Sequence, residues 1–180
     1  MKKLFLPLIM GLATLGASAQ AGDVAFGVNL GVAPVLEDGA SVTNIGLGAK
    51  VQLGITDPIR VEVAANYWFK DNYFSVFDLG LNGHYLIPVA DRFKLYPLVG
   101  IGYGRVKASV DSDDDIWDYS PSRAGGHVTW SSSINRFLFN VGIGGEYAVS
   151  SRVSIGAEFK YQYMKDFSRM PISVGLTYKF

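Results

Sequence analysis

The chain has 180 residues, 49% of them apolar and 18% charged, with 16 basic against 16 acidic side chains and no cysteine. That balance suits one folded domain and excludes a disordered chain, gives no electrostatic footprint for nucleic acid, and removes disulfides, thiolate catalysis, Cys-based metal sites and an N-terminal lipid acceptor. Beyond the first twenty residues no apolar run reaches the about 20 residues that a membrane-spanning helix needs.

Lys2 and Lys3 precede an apolar stretch over residues 4–15, and Ala17-Ser18-Ala19 supplies a small-x-small site. This pattern predicts a cleaved secretory signal over residues 1–19, with Ala21 as the alternative cleavage point, and a single domain over residues 20–180. Loss of Lys2 and Lys3 takes the basic count from 16 to 14 against 16 acidic residues, a mature charge of −2.

From Val24 onward large apolar residues alternate with glycine, small, polar or charged ones, the period of a β-strand. The first strand sets Val24, Phe26, Val28, Leu30 and Val32 on one face; the second sets Ile45, Leu47, Ala49, Val51 and Leu53 against Gly46, Gly48, Lys50, Gln52 and Gly54. After Asp57-Pro58, the third opposes Val61, Val63, Tyr67 and Phe69 to Glu62, Ala64, Asn66 and Trp68, and the fourth opposes Phe77, Leu79, Leu81 and Tyr85 to Asp78, Gly80, Asn82 and His84. A turn over residues 88–92 leads to the fifth, Phe93 to Gly104, where Pro97 suggests a bulge near the strand's start because it cannot donate to the ladder. The sixth carries Phe137, Phe139, Val141, Ile143 and Tyr147 against Arg136, Asn140, Gly142, Gly144 and Glu146. The seventh carries Val153, Ile155, Phe159, Tyr161 and Tyr163 against Glu158, Lys160 and Gln162, and the eighth carries Ile172, Val174, Leu176, Tyr178 and Phe180 against Ser173, Gly175, Thr177 and Lys179. Short turns alternate with longer loops, the longest over residues 107–134.

These features predict an all-β fold, an eight-stranded antiparallel up-and-down transmembrane barrel. A water-soluble barrel would also alternate, with the apolar face inward. Three features favour the membrane. Glycines crowd the second face, where they make room in a narrow barrel. Phe26, Tyr85, Phe93, Tyr147, Tyr178 and Phe180 fall toward one rim, Tyr67, Phe69, Tyr103, Phe137, Phe139, Tyr161 and Tyr163 toward the other, and aliphatic residues lie between. The export signal is the third.

The closing segments Gly142-x-Gly144-x-Glu146-Tyr147, Ala157-Glu158-Phe159-Lys160-Tyr161 and Val174-Gly175-Leu176-x-Tyr178-x-Phe180 resemble those of small outer-membrane β-barrels of the OmpA/OmpX-like family. The resemblance implies a Gram-negative outer membrane, both termini periplasmic, a surround of lipid and lipopolysaccharide, and Tyr178 and Phe180 as the signal read by the barrel-assembly machinery. It covers adhesins, protective proteins, narrow channels and a few lipid-modifying enzymes.

The predicted inner face carries Lys50, Glu62, Asp78, Arg136, Glu146, Glu158, Lys160 and Lys179. In a barrel of this size such charges are expected to pair and plug the lumen, with a narrow solute pore as the alternative. A lipid-modifying enzyme is the third reading: His127 has hydroxyls nearby but no identifiable oxyanion donors, and His84 reads as an interior hydrogen-bonding residue. No catalytic, cofactor or metal residues are expected. Asp111-Ser112-Asp113-Asp114-Asp115 misses the EF-hand pattern at Ile116 and Ser122. Trp117, Tyr119 and Trp130 make the long loop the expected carrier of a structural, protective or adhesive role toward a surface ligand or host partner.

Overall fold

A computed structural model describes residues 22–36, 43–71, 74–111, 129–165 and 167–180. The expected signal over residues 1–19 lies outside the described residues, as do Trp117, Tyr119, His127 and most of the aspartate-rich tip.

Among the described residues nine strand segments follow in chain order: β1 Val24–Pro34, β2 Thr43–Gly54, β3 Ile59–Asp71, β4 Phe74–Tyr85, β5 Ile87–Ala90, β6 Phe93–Asp111, β7 Thr129–Ala148, β8 Val153–Met164 and β9 Ile172–Lys179. All pairings are antiparallel; β1 pairs with both β2 and β9, and β4 pairs with β6, so the sheet closes on itself. β5 is not a ninth position in the ring. Ile87↔Leu95 continues the register of His84↔Leu98, and the gap between β4 and β5 faces Tyr96 and Pro97. Pro97 has no N–H to give the ladder. The result is an eight-position barrel, as expected, and an irregularity does lie near the start of the fifth strand, opposite Phe93 and Lys94, although not at Pro97 itself. β6 stays in register with β7 through Pro97↔Ile143, and the extra residue sits on the partner strand between Pro88 and Ala90.

Two lengths differ from expectation. The fourth position continues to Ala90, which shrinks the anticipated turn over residues 88–92 to Asp91 and Arg92. The β6–β7 ladder runs out to Asp111↔Thr129, so both ends of the expected 107–134 loop are paired strand. Segments such as Ser131-Ser132-Ser133 show no apolar alternation in sequence, while the backbone ladder continues regardless.

The alternation resolves as expected in the barrel wall. Val28, Leu30, Leu47, Leu79, Val99, Ile101, Val141, Ile143 and Val174 point out of the barrel, and both aromatic groups bracket this belt. Inward glycines accommodate specific rings. A Cβ on Gly46 would lie 2.5 Å from Trp68 Cε3, and one on Gly144 would lie 2.6 Å from the Tyr96 hydroxyl.

Candidate functional site

The lumen is built in layers from the inward residues of every strand. At the rim where β1 begins and β9 ends a vestibule of about 180 Å³ opens between Asp23, Asp57, Arg60, Lys94, Glu146 and Lys179. Lys179, expected within the interior charge set, stands half-exposed at this mouth and pairs with Asp23.

Arg60 closes the vestibule floor. Its Nη1 donates to Glu146 Oε2 at 2.6 Å, its Nε donates to His84 Nδ1 at 3.3 Å, and its guanidinium lies 4.8 Å from the centre of the Tyr96 ring. His84 stacks on the other partner of that contact, Tyr96, at 4.8 Å and 12°. This imidazole is thus an interior packing and hydrogen-bonding residue.

Above it sits the central charge group. Lys50 Nζ is 3.2 Å from Glu62 Oε2 and 2.5 Å from Glu158 Oε1, and Lys160 Nζ is 3.0 Å from Glu158 Oε2. Gln52 donates to Glu62 at 2.8 Å and the Tyr96 hydroxyl to Glu158 at 2.9 Å. Burying ions costs several kcal/mol each unless partners of opposite charge and further hydrogen bonds compensate; here both kinds are present. A carboxamide layer follows, in which Asn82 donates to Glu62 (3.2 Å), Asn140 to Asn82 (3.0 Å) and Gln162 to Asn140 (3.0 Å).

Toward the other rim, Asp78 accepts from Asn66 Nδ2 at 2.8 Å and from Trp68 Nε1 at 2.7 Å, and it pairs with Arg169. Arg169 also donates to Gln162 Oε1 at 2.5 Å and lies 5.0 Å over the Trp68 ring. Buried Ala33, Trp68 and Val76 cover this layer, with Val106 and Phe167 packed against them. Among the described residues, Lys50, Arg60, Lys160 and Arg169 face Glu62, Asp78, Glu146 and Glu158 inside the barrel, four cations for four carboxylates. The void beside Asp78, Asn82 and Lys160 is about 10 Å³, the room of one water.

Six of the eight charges expected inside therefore belong to this network: Lys50, Glu62, Asp78, Glu146, Glu158 and Lys160. Arg136 stands near the loop rim, half-buried, with Nη1 donating to the Asn135 carbonyl at 3.5 Å. Arg60, Tyr96 and Arg169 were missed by sequence reasoning. Arg60 falls on the inward face if the alternation Glu62, Ala64, Asn66 is carried two residues back. Arg169 falls there through Ser173 and Pro171, but Pro171 reads as the end of a strand. In the structure the ladder resumes beyond that proline: Gln162 N–H bonds Arg169 O at 2.9 Å, Arg169 N–H bonds Gln162 O at 3.1 Å, and Met170 N–H bonds Pro34 O at 3.0 Å.

At the loop rim β7 outruns its neighbour. β8 ends opposite Leu138, so among the described residues β7 extends nine residues past its pairing with β8, on the order of 30 Å at about 3.3 Å per residue. Trp130 is a strand residue here, paired with Val110, rather than a loop residue. At the opposite rim Tyr178 and Phe180 point outward and meet edge to face, 5.4 Å apart, and Phe180 N–H bonds Val24 O at 3.0 Å.

Among known proteins, the chain is 28% identical over 114 residues to outer membrane protein PagN of Salmonella typhimurium, an alignment over 63% of this chain and 42% of PagN. The chain thus spans under half the length of that curated relative. Its fold is similar to that of Neisserial surface protein A, with a TM-score of 0.69 at 16% identity over 87% of this chain and 97% of that one. It is also similar to Ail, the attachment invasion locus protein of Yersinia pestis, solved with the heparin analogue sucrose octasulfate, with a TM-score of 0.59 at 16% identity over 89% and 100%. A family model covers residues 5–180, and together with the closed ring of eight strand positions it establishes that the chain is an outer-membrane β-barrel belonging to the outer membrane protein beta-barrel domain family.

Proposed function

We propose that this barrel is a non-enzymatic, non-conducting membrane anchor that presents the β6–β7 hairpin and its tip, residues 112–128, as a binding element at the cell surface. The observation that carries the reading is that, among the described residues, the pairing of β7 with β8 stops at Leu138 while β7 itself reaches out to Thr129. A strand edge offers a row of free N–H and C=O groups to an incoming chain, and edges that avoid such pairing are blunted by lysine, proline or a bulge. Thr129-Trp130-Ser131-Ser132-Ser133-Ile134-Asn135-Arg136-Phe137 carries one charge and no proline. Arg105 and Lys107, exposed on β6 at the hairpin base, add positive charge beside it. The sucrose octasulfate complex of Ail makes a sulfated saccharide the first ligand class to try.

The filled lumen supports the non-conducting part of the reading over a narrow pore. In this reading both termini are periplasmic, lipid and lipopolysaccharide surround the belt, and Tyr178 with Phe180 engages the barrel-assembly machinery. Replacing residues 107–133 by a short turn should abolish binding of cells to a host surface, or of sucrose octasulfate to the purified barrel, while assembly is retained. Unchanged binding to both would refute the surface role, and a steady single-channel conductance of the intact protein would refute the closed lumen.

A further inference from the structure

We propose that the loop-rim end of the lumen is a receptor for a guanidinium-type cation, and that the chain's own Arg169 occupies it as a tethered ligand. This rests on the closed lumen described above. The elements of the receptor come from three strands: the Asp78 carboxylate on β4, the Trp68 ring on β3 and the Gln162 carboxamide on β8. Carboxylate, aromatic face and carbonyl oxygen are the groups that bind a planar, weakly hydrated cation. The receptor is braced without Arg169, since Asn66 and the Trp68 indole both donate to Asp78, and Asn140 accepts from Gln162.

Arg169 differs from the other lumen cations in how it is held. Lys50, Arg60 and Lys160 lie on the strands β2, β3 and β8, whereas Arg169 lies before β9 begins at Ile172, in bridges with Gln162 and Val35. Pro171 separates it from the β9 ladder and cannot donate to either neighbour. Backbone bonds from Leu36 N–H to Ser168 O at 2.9 Å, Met170 N–H to Pro34 O at 3.0 Å and Lys160 N–H to Pro171 O at 2.9 Å hold the segment on both sides of Arg169, so the side chain can be removed by substitution while the ladder stays in place. Loss of the guanidinium would leave Asp78 and the carboxamide layer without their occupant on the loop side, while the Lys50, Glu62, Glu158 and Lys160 group below remains closed. The device is an occupied cation site whose occupant doubles as a plug.

The cysteine-free sequence permits a clean test. Ser173→Cys places a thiol beside the small void under Asp78, where Ser173 is buried, and Thr177→Cys places one in the vestibule. In lipid vesicles a charged thiosulfonate reagent should label Thr177→Cys readily and leave Ser173→Cys protected. Adding Arg169→Ala should raise the labelling rate at Ser173→Cys on the order of tenfold or more by local opening, without changing the rate at Thr177→Cys. Millimolar methylguanidinium should then restore protection, and it should fail to do so when Asp78→Asn is also present. If Arg169→Ala does not assemble, as read from heat-dependent gel mobility, Arg169→Gln serves in its place. Continued protection of Ser173→Cys without Arg169, or opening that methylguanidinium does not reverse, would overturn the proposal while leaving the surface-binding reading intact. Rapid labelling of Ser173→Cys with Arg169 in place would instead refute the closed lumen.

Discussion

The two faces of each strand use the same backbone and solve opposite problems. The outer face needs only to be apolar in the middle and aromatic at the edges, and almost any aliphatic residue serves at Val99, Ile101 or Val141. The inner face is particular: Glu158 alone meets Lys50, Lys160 and the Tyr96 hydroxyl, groups from β2, β8 and β6. The outer face tolerates exchange within a class, whereas the inner face depends on individual partners.

The sharpest way to break this contrast is to remove one member of the inner set. Glu158→Ala leaves Lys50 and Lys160 short of a counter-charge in a buried space and should cost about 3–5 kcal/mol, read by urea unfolding in lipid vesicles. A charge on the outer face comes next: Val141→Lys in the aliphatic belt should cost about 2–4 kcal/mol if it lies near mid-membrane, and a harmless substitution there would mean the faces are inverted. Gly144→Ala tests the space held for a ring, since its Cβ would enter Tyr96, and should cost about 1–3 kcal/mol by overpacking. Lys179→Ala should be felt least, under about 1 kcal/mol in the same unfolding assay, because its pairing with Asp23 is solvent-exposed at the mouth.

Much of this was legible in the chain itself. A period of two over eight segments, with glycines on one side and aromatics sorted to two levels, is enough to read a barrel and its lipid face. The interior was legible as a set of charges but not as a circuit. Lys50 and Glu158 are 108 residues apart, and only closure of the ring brings β2 and β8 within reach across the lumen. Arg169 was hidden by Pro171, a reliable end-of-strand signal overridden here by bridges to both neighbouring strands. The paired ends of the β6–β7 hairpin were hidden because serine-rich strand above the belt has no apolar face to alternate.

The amino-acid order by itself thus determined strand number, approximate strand positions in the wall and the face turned to lipid, since all three follow from local spacing and side-chain polarity. Tertiary structure alone decided which charge meets which, that Arg169 fills the loop-rim end, and how far β7 stands beyond β8. Those outcomes depend on barrel closure and register, which bring together residues that sequence separation keeps apart.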